Sequence, residues 1–295
     1  MAPCILVTSA TGTVGRAVLQ QLLPDHMAGR IKLKGTARSE ANVSALAAIG
    51  VPSVAFDFDC PKTLRSALSG VDTVFLATGY SVDMLAHSKR LLDAARAERV
   101  GHIVHLGALA ADDSPHAHFA WHRMIEHSIE AMGFSYTHLQ PNFFIETVWK
   151  GFCHRPDRLI HFVANHNVSW ISAEDIASVA AQALRAPEDH SGQVYPLAAD
   201  RLSFPDLASL LTEVTGQSVN YVPRPAADLL PILLKQGMEP NYAAGLAEGM
   251  EALELGKMPD CDAIFDNIST LIGRPPVLWR DYAMAHLSEL RINSS

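Results

Sequence analysis

The chain has 295 residues, 48% hydrophobic and 18% charged, with a formal net charge of −8. This suits a soluble globular protein of one large or two modest domains, with core enough to fold without staples. The acidic balance and the lack of a basic tract speak against nucleic acid as a partner, and no apolar run approaches the roughly 18 residues that read as a membrane span. The four cysteines, Cys4, Cys60, Cys153 and Cys261, form no C-x-x-C pair. They argue against a disulfide framework or a structural zinc site and fit a reducing compartment. Ile5–Val7 is already strand-like, where a secretory signal would carry a basic start and an apolar core. The expected location is the cytoplasm.

Strand-like and helix-like segments alternate through the first half. Ile5–Val7 reads as a strand, and Ala17–Leu23 lies on the first helix. Ile31–Ala37 is a strand, Asn42–Ile49 a short helix, and Ser53–Phe56 a third strand. Lys62–Leu68 is helical, and Thr73–Thr78 is a buried strand. Asp83–Arg99 is a long amphipathic helix whose basic end suits the helix dipole. His102–Leu106 is a strand, Phe119–Met132 a helix capped by Gly133, and Tyr136–Leu139 a strand ended by Pro141. This alternation predicts an α/β fold, a Rossmann-like doubly wound parallel sheet.

The later chain is less regular. Ala173–Leu184 reads as a helix with Ser172 as N-cap, Val194–Leu197 as a strand, and Phe204–Thr215 as a helix ending at Gly216. From Pro223 the chain is mostly helical and broken by prolines and glycines. The expected division is a Rossmann domain over residues 1–150, taking in about 171–199, and a smaller, mostly helical substrate-binding region over 200–295. That region is expected to fold over the carboxyl edge of the sheet, where open α/β sheets bind ligands. The run Leu229–Leu234 reads as core by default.

The most informative stretch is Ser9-Ala-Thr-Gly-Thr-Val-Gly15, between the first strand and the first helix. Such a turn brings backbone N–H groups of Ser9, Ala10, Thr11, Gly12, Thr13 and Val14 towards a pyrophosphate and aims the positive end of the helix at it. Ser9 stands where the three-glycine fingerprint has its first glycine, so it needs a negative φ or some strain. An ordinary tight βα turn is the alternative. About 20 positions on, where an acidic residue would favour NAD, the chain carries Arg38 and Ser39. A guanidinium fork matches a 2′-phosphate, so NADPH is the expected cofactor, against the reading of Arg38 as plain surface. Asp57 is a candidate for the adenine amino group or, equally, a turn aspartate.

Ser9–Gly15, Arg38, Trp121-His-Arg-Met-Ile-Glu126, Tyr136-Thr-His-Leu-Gln-Pro-Asn-Phe-Phe144 and Ile171-Ser-Ala-Glu-Asp-Ile-Ala177 together resemble the NmrA-like group of atypical short-chain dehydrogenase/reductases. The resemblance runs through most of the chain and departs from the family pattern at Ser9, where glycine is usual. It implies an NADPH-dependent reductase like those acting on triarylmethane dyes, quinones and azo compounds. The family also has non-catalytic members that sense the NADPH/NADP ratio and regulate transcription, and that reading stays as the alternative.

No Tyr-x-x-x-Lys pair opens the Phe119–Met132 helix. By resemblance, His122 falls where isoflavone-type reductases place an active-site lysine. Glu126 shares its helix face and could orient the imidazole and raise its pKa, or the two form a structural pair. Without a positioned acid, hydride transfer to an activated conjugated acceptor fits better than reduction of a simple ketone. Thr78, Gly79 and Tyr80 follow the fourth strand, with Tyr80 as the tyrosine to test as a proton donor. Gly107 follows the fifth strand. Pro141, Asn142 and Phe143 follow the sixth and, by resemblance, flank the nicotinamide. Phe143, Phe144 and Trp149 are candidates for an apolar wall, the last two reading more as core. His118, His122 and Glu126 recur every fourth residue like a ligand ladder, but no HExxH or fourth ligand accompanies them, so no metal is expected. No GxSxG elbow points to a serine hydrolase. The expected partner is a small aromatic or conjugated molecule, with monomer and homodimer both open.

Overall fold

The computed structural model describes residues 2–150, 154–155 and 157–290. Cys153 lies outside them, and so does the side chain of Trp149. The elements run β1 (Cys4–Val7), α1 (Thr13–Met27), β2 (Lys32–Ala37), α2 (Glu40–Ala47), β3 (Ser53–Ala55), α3 (Pro61–Leu68), β4 (Thr73–Leu76), α4 (Met84–Ala97), β5 (His102–Leu106), α5 (Ala117–Ala131) and β6 (Ser135–Pro141). There follow β7 (Phe143–Phe144), α6 (Ile145–Lys150), β8 (His154–Arg155), β9 (Arg158–His161), β10 (Asn167–Ile171), α7 (Ala173–Arg185), β11 (Gln193–Leu197) and β12 (Asp200–Ser203). The chain closes with α8 (Phe204–Thr215), β13 (Asn220–Pro223), a 3₁₀ turn, α9 (Leu229–Lys235), α10 (Pro240–Glu254), α11 (Asn267–Ile272), α12 (Trp279–Ala285) and α13 (Leu287–Leu290).

The main sheet has seven strands in the order β11-β6-β5-β4-β1-β2-β3. Pairing is parallel from β3 through to β6. This is the doubly wound Rossmann order expected from the alternation, with the strand order reversing between β1 and β4. Its inner strands are apolar runs because helices cover both faces. All four residues of β1 and of β4 are buried, and Ile5, Leu6, Val7, Val74, Phe75, Leu76, Ile103 and Val104 are fully so.

Two compact units divide the chain. The first comprises residues 1–108, 121–140 and 176–195, the second 109–120, 141–175 and 196–295. The second unit holds two three-stranded sheets, β12-β10-β7 and β13-β9-β8, that the sequence reading leaves out. Their strands are two to five residues long and take shape only through pairing. Around them Trp170, Phe204, Leu211 and Trp279 pack into one core, while Leu229 and Leu233 bury in a second. The predicted stops hold: Gly133 and Gly216 take φ +78 and +71, values that favour glycine because it has no Cβ. The Asp175 N–H donates to Ser172 Oγ at 3.0 Å, as the predicted N-cap requires. Among the described residues no helix is long and apolar enough to cross a membrane.

Candidate coenzyme and reaction site

The first unit builds its loop by latching the end of β1 to the end of β4. Thr8 is fully buried. Its backbone N–H donates to Phe75 O at 3.0 Å, and its hydroxyl accepts from Ala77 N at 2.8 Å. The same hydroxyl reaches the Phe75 and Ala77 carbonyls at 3.0 and 2.9 Å. Ser9 adopts φ +48, so the turn takes the strained alternative, and Ser9 Oγ donates to Ala77 O at 2.9 Å. The Ser9 carbonyl is the pivot of the loop. Gly12 N–H donates to it at 2.9 Å, and a Cβ on Gly15 would stand 2.3 Å from it. Gly15 therefore lets α1 start against the loop.

Gly12 caps α1 with extended backbone and no side-chain acceptor. The N–H groups of the first helical turn thus lack side-chain partners at the positive end of a 15-residue helix. Thr11, Gly12 and Thr13 are exposed, while Ala10 and Val14 are buried and seat the loop on the core. Bare donors and a glycine cradle fit a pyrophosphate.

Arg38 follows β2 directly, exposed. Ser39 Oγ accepts from Asn42 N at 3.3 Å as the N-cap of α2. Asp57 is exposed, and its Oδ1 accepts from Asp59 N–H at 3.0 Å, the bond of a turn aspartate. Thr78 is half-buried and Gly79 exposed, with open space where a Gly79 Cβ would stand. Tyr80 is 70% exposed.

Glu126 is fully buried. Its hydrogen bonds go to Arg123, one turn back on α5, and to Gln140 Nε2 at 3.0 and 3.1 Å. His105 Nδ1 stands 3.9 Å from Glu126 Oε1. His122 is half-buried, its ring centroid 5.9 Å from that of His105. Burial pushes the Glu126 carboxyl above the usual range, while the Gln140 bond and the Arg123 charge pull it down. Burial, then the charges of His122 and His138, hold His105 well below its ordinary value.

Arg123, Gln140 and His105 are what the sequence reading missed. Arg123 carried a signal, since an Arg three residues before a Glu shares its helix face. The other two needed the strand order. His105, Glu126 and His138 bring ligand-type atoms within 4.8 Å of one another, a grouping different from the His118–His122–Glu126 ladder. Donors from Arg123 and Gln140 already hold this carboxylate, and the guanidinium charge opposes a cation there.

Pro141, Asn142 and Phe143 belong to the second unit. Asn142 Nδ2 donates to Ser169 Oγ at 2.8 Å and Cys261 O at 2.9 Å. Phe143 meets Trp170 edge-on with centroids 5.6 Å apart and packs against that unit's core. A cavity of about 340 Å³ in this unit, bordered by His166, Leu253, Met258 and Cys261 among others, contains none of the predicted site residues.

The chain is 32% identical over 293 residues to the NAD(P)H azoreductase of Xenophilus azovorans, covering 96% of this chain and 97% of the relative. It is 30% identical over 280 residues to quinone oxidoreductase 2 of Escherichia coli (strain K12), covering 92% and 94%. The solved structure of NADPH-dependent quinone oxidoreductase from Escherichia coli, complexed with NADPH, superposes with a TM-score of 0.80 at 26% identity, covering 96% of this chain and 99% of that one. The profile of the NmrA-like family matches residues 1–266, and the chain belongs to that family.

Proposed function

We propose that this oxidoreductase uses NADPH in preference to NADH and passes hydride to a conjugated electrophilic acceptor of the quinone, azo or triarylmethane type. The observation that carries the reading is the uncapped start of α1 over the Ser9–Gly15 cradle, with an exposed arginine at the end of the neighbouring strand β2. The relatives' names support the acceptor class.

A bound nicotinamide coenzyme supplies the hydride. The backbone N–H groups of residues 10, 11, 13 and 14 would hold the pyrophosphate, the Gly12 N–H being taken by Ser9 O, and Arg38 would pair with the 2′-phosphate through its fork. Thr78, Gly79 and Gly107, beyond the ends of β4 and β5, lie along the rest of the carboxyl edge. Asp57 serves the turn, with one carboxylate oxygen left for the adenine amino group. Reducing a quinone takes one hydride and one proton, and solvent or His122 supplies the proton. Tyr80 reaches solvent and is the second donor to test. Pro141, Asn142 and Phe143 keep their assignment beside the nicotinamide on resemblance alone.

The test is titration with NADPH and NADH, then coenzyme oxidation with a panel of quinones, azo dyes and triarylmethane dyes. Arg38→Ala is expected to weaken NADPH binding about 10- to 100-fold, the scale of a lost charged hydrogen-bond pair, and to leave NADH nearly unchanged. Equal losses for both would remove the 2′-phosphate assignment. Tight binding without turnover on any acceptor would transfer the chain to the redox-sensing class.

A further inference from the structure

We propose that Glu126 is a positioning residue rather than an acid or base. It fixes the carboxyl ends of β5 and β6 through Gly107 and Gln140, and so shapes the nicotinamide end of the coenzyme site. The inference rests on the coenzyme reading above.

Four observations meet at this carboxylate. First, it has no solvent-exposed surface, so it cannot touch a bound substrate as this structure stands. Second, a buried charge costs several kcal/mol unless paired and hydrogen-bonded, and here Arg123 and Gln140 do both. Third, Gln140 stands near the end of β6, so the bond ties α5 to that strand. Fourth, a Cβ on Gly107 would stand 2.7 Å from Glu126 Oε1 and 3.4 Å from Leu139 O. A side chain at 107 would have to displace the carboxylate that Arg123 and Gln140 hold. Gly107 N–H then donates to Leu139 O at 2.8 Å, extending the ladder that pairs Leu106 with Leu139. One side chain on α5 therefore sets the height of two neighbouring strand ends.

The sheet order says which half of the coenzyme this affects. With the 2′-phosphate at Arg38, beyond β2, the pyrophosphate crosses at β1. The other half must extend towards β4, β5 and β6. Moving Gly107 disturbs that half and leaves the adenine half alone.

The experiment measures affinity for two probes, NADPH and adenosine 2′,5′-bisphosphate, which carries only the adenine half. It uses the full chain as wild type, Glu126→Gln, Glu126→Ala, Gly107→Ala and the double variant Glu126→Ala/Gly107→Ala. Gly107→Ala leaves the Glu126–Arg123 charges in place, so it stays informative if Glu126→Gln folds poorly. We expect Glu126→Gln and Gly107→Ala each to weaken NADPH about tenfold, on the scale of a sub-ångström misplacement, with the bisphosphate unchanged. The double variant should fall short of the summed single losses, because without the carboxylate the added methyl has nothing to displace.

Unchanged NADPH affinity with reduced turnover would make Glu126 a chemical participant and overturn the proposal. Equal weakening of both probes would make the pair a general stability element and overturn it too. A wild-type chain that binds neither probe would instead sink the coenzyme reading on which the proposal stands.

Discussion

Acid should destabilise this protein well before its carboxylates titrate, because several histidines are buried in the neutral form. His102 is held down to about 4, chiefly by burial, with Nδ1 2.7 Å from Ser135 Oγ and Nε2 3.0 Å from Thr137 Oγ1. His138 is fully buried and held down to about 3 by burial and then by the Arg123 charge. His161 stacks on Phe204 with centroids 4.2 Å apart, and burial holds it to about 3.

In the unfolded chain each imidazole returns to its ordinary value near 6.5. At pH 5 the unfolded chain therefore binds a proton at each of these three sites that the folded chain mostly refuses. Each costs about 1.4 kcal/mol per pH unit below 6.5, or about 2 kcal/mol at pH 5. The sign is fixed by the direction of the shifts. The contribution is present above 6.5 and is lost as pH falls towards the folded values. Glu126 acts in the opposite sense, because its raised carboxyl takes up its proton in the folded state first.

His102 and His138 belong to the first unit and His161 to the second. At pH 5 His102 and His138 together account for a loss of about 4 kcal/mol in the first unit and His161 for about 2 kcal/mol in the second, with His105 and His118 adding losses of the same sign, against a usual total stability of about 5–15 kcal/mol. Urea unfolding followed by far-ultraviolet circular dichroism at pH 8, 7, 6 and 5 measures this. His161→Phe keeps an aromatic ring on Phe204 and should remove about 1.4 kcal/mol per pH unit from the acid slope. Urea midpoints that stay level from pH 8 to 5, or a slope that His161→Phe leaves intact, would refute the reasoning.

Other substitutions report on single contacts. Gly15→Ala drives a methyl to 2.3 Å from Ser9 O; it should cost about 1–3 kcal/mol on thermal unfolding and abolish NADPH binding in a fluorescence titration. Ser9→Gly removes a left-handed backbone strain at φ +48 worth about 1–2 kcal/mol at the loss of one hydrogen bond to Ala77 O. Calorimetry should therefore show a melting temperature at or slightly above wild type, and a marked fall would show that the serine bond outweighs the strain. Asp175 is fully buried and accepts from Arg274 Nη1 at 2.7 Å and Val277 N at 2.8 Å. Its change to Ala should cost about 1.5–3 kcal/mol in a urea titration, the scale of a lost hydrogen bond to a charged group, since the Arg274 side chain is one-third exposed.

Local interactions made much of this protein legible in its sequence. The β1–loop–α1 start, the alternating strands and helices, the caps at Ser172, Gly133 and Gly216, and the apolar inner strands all follow from periodicity and from side chains bonding backbone within a few residues. These features lead to a Rossmann sheet before any contact is known. The sign of φ at Ser9 does not, because the residue's hydroxyl bonds Ala77 O just beyond β4, a partner 68 residues away that only the sheet brings near. The short strands β7 to β10, β12 and β13 were invisible for a related reason. Most of them mix polar with apolar residues where β1 and β4 are near-continuous apolar runs, and β7, β10, β12 and β13 pair with segments tens of residues away.

The helix spacing suggested that Glu126 serves His122, since i and i+4 meet on a face. Tertiary structure adds Gln140 Nε2 as a donor to the carboxylate and sets Gly107 against it, from two neighbouring strand ends whose adjacency only the sheet order creates. A buried charge takes the best donors within reach, and which donors come within reach is decided by the fold.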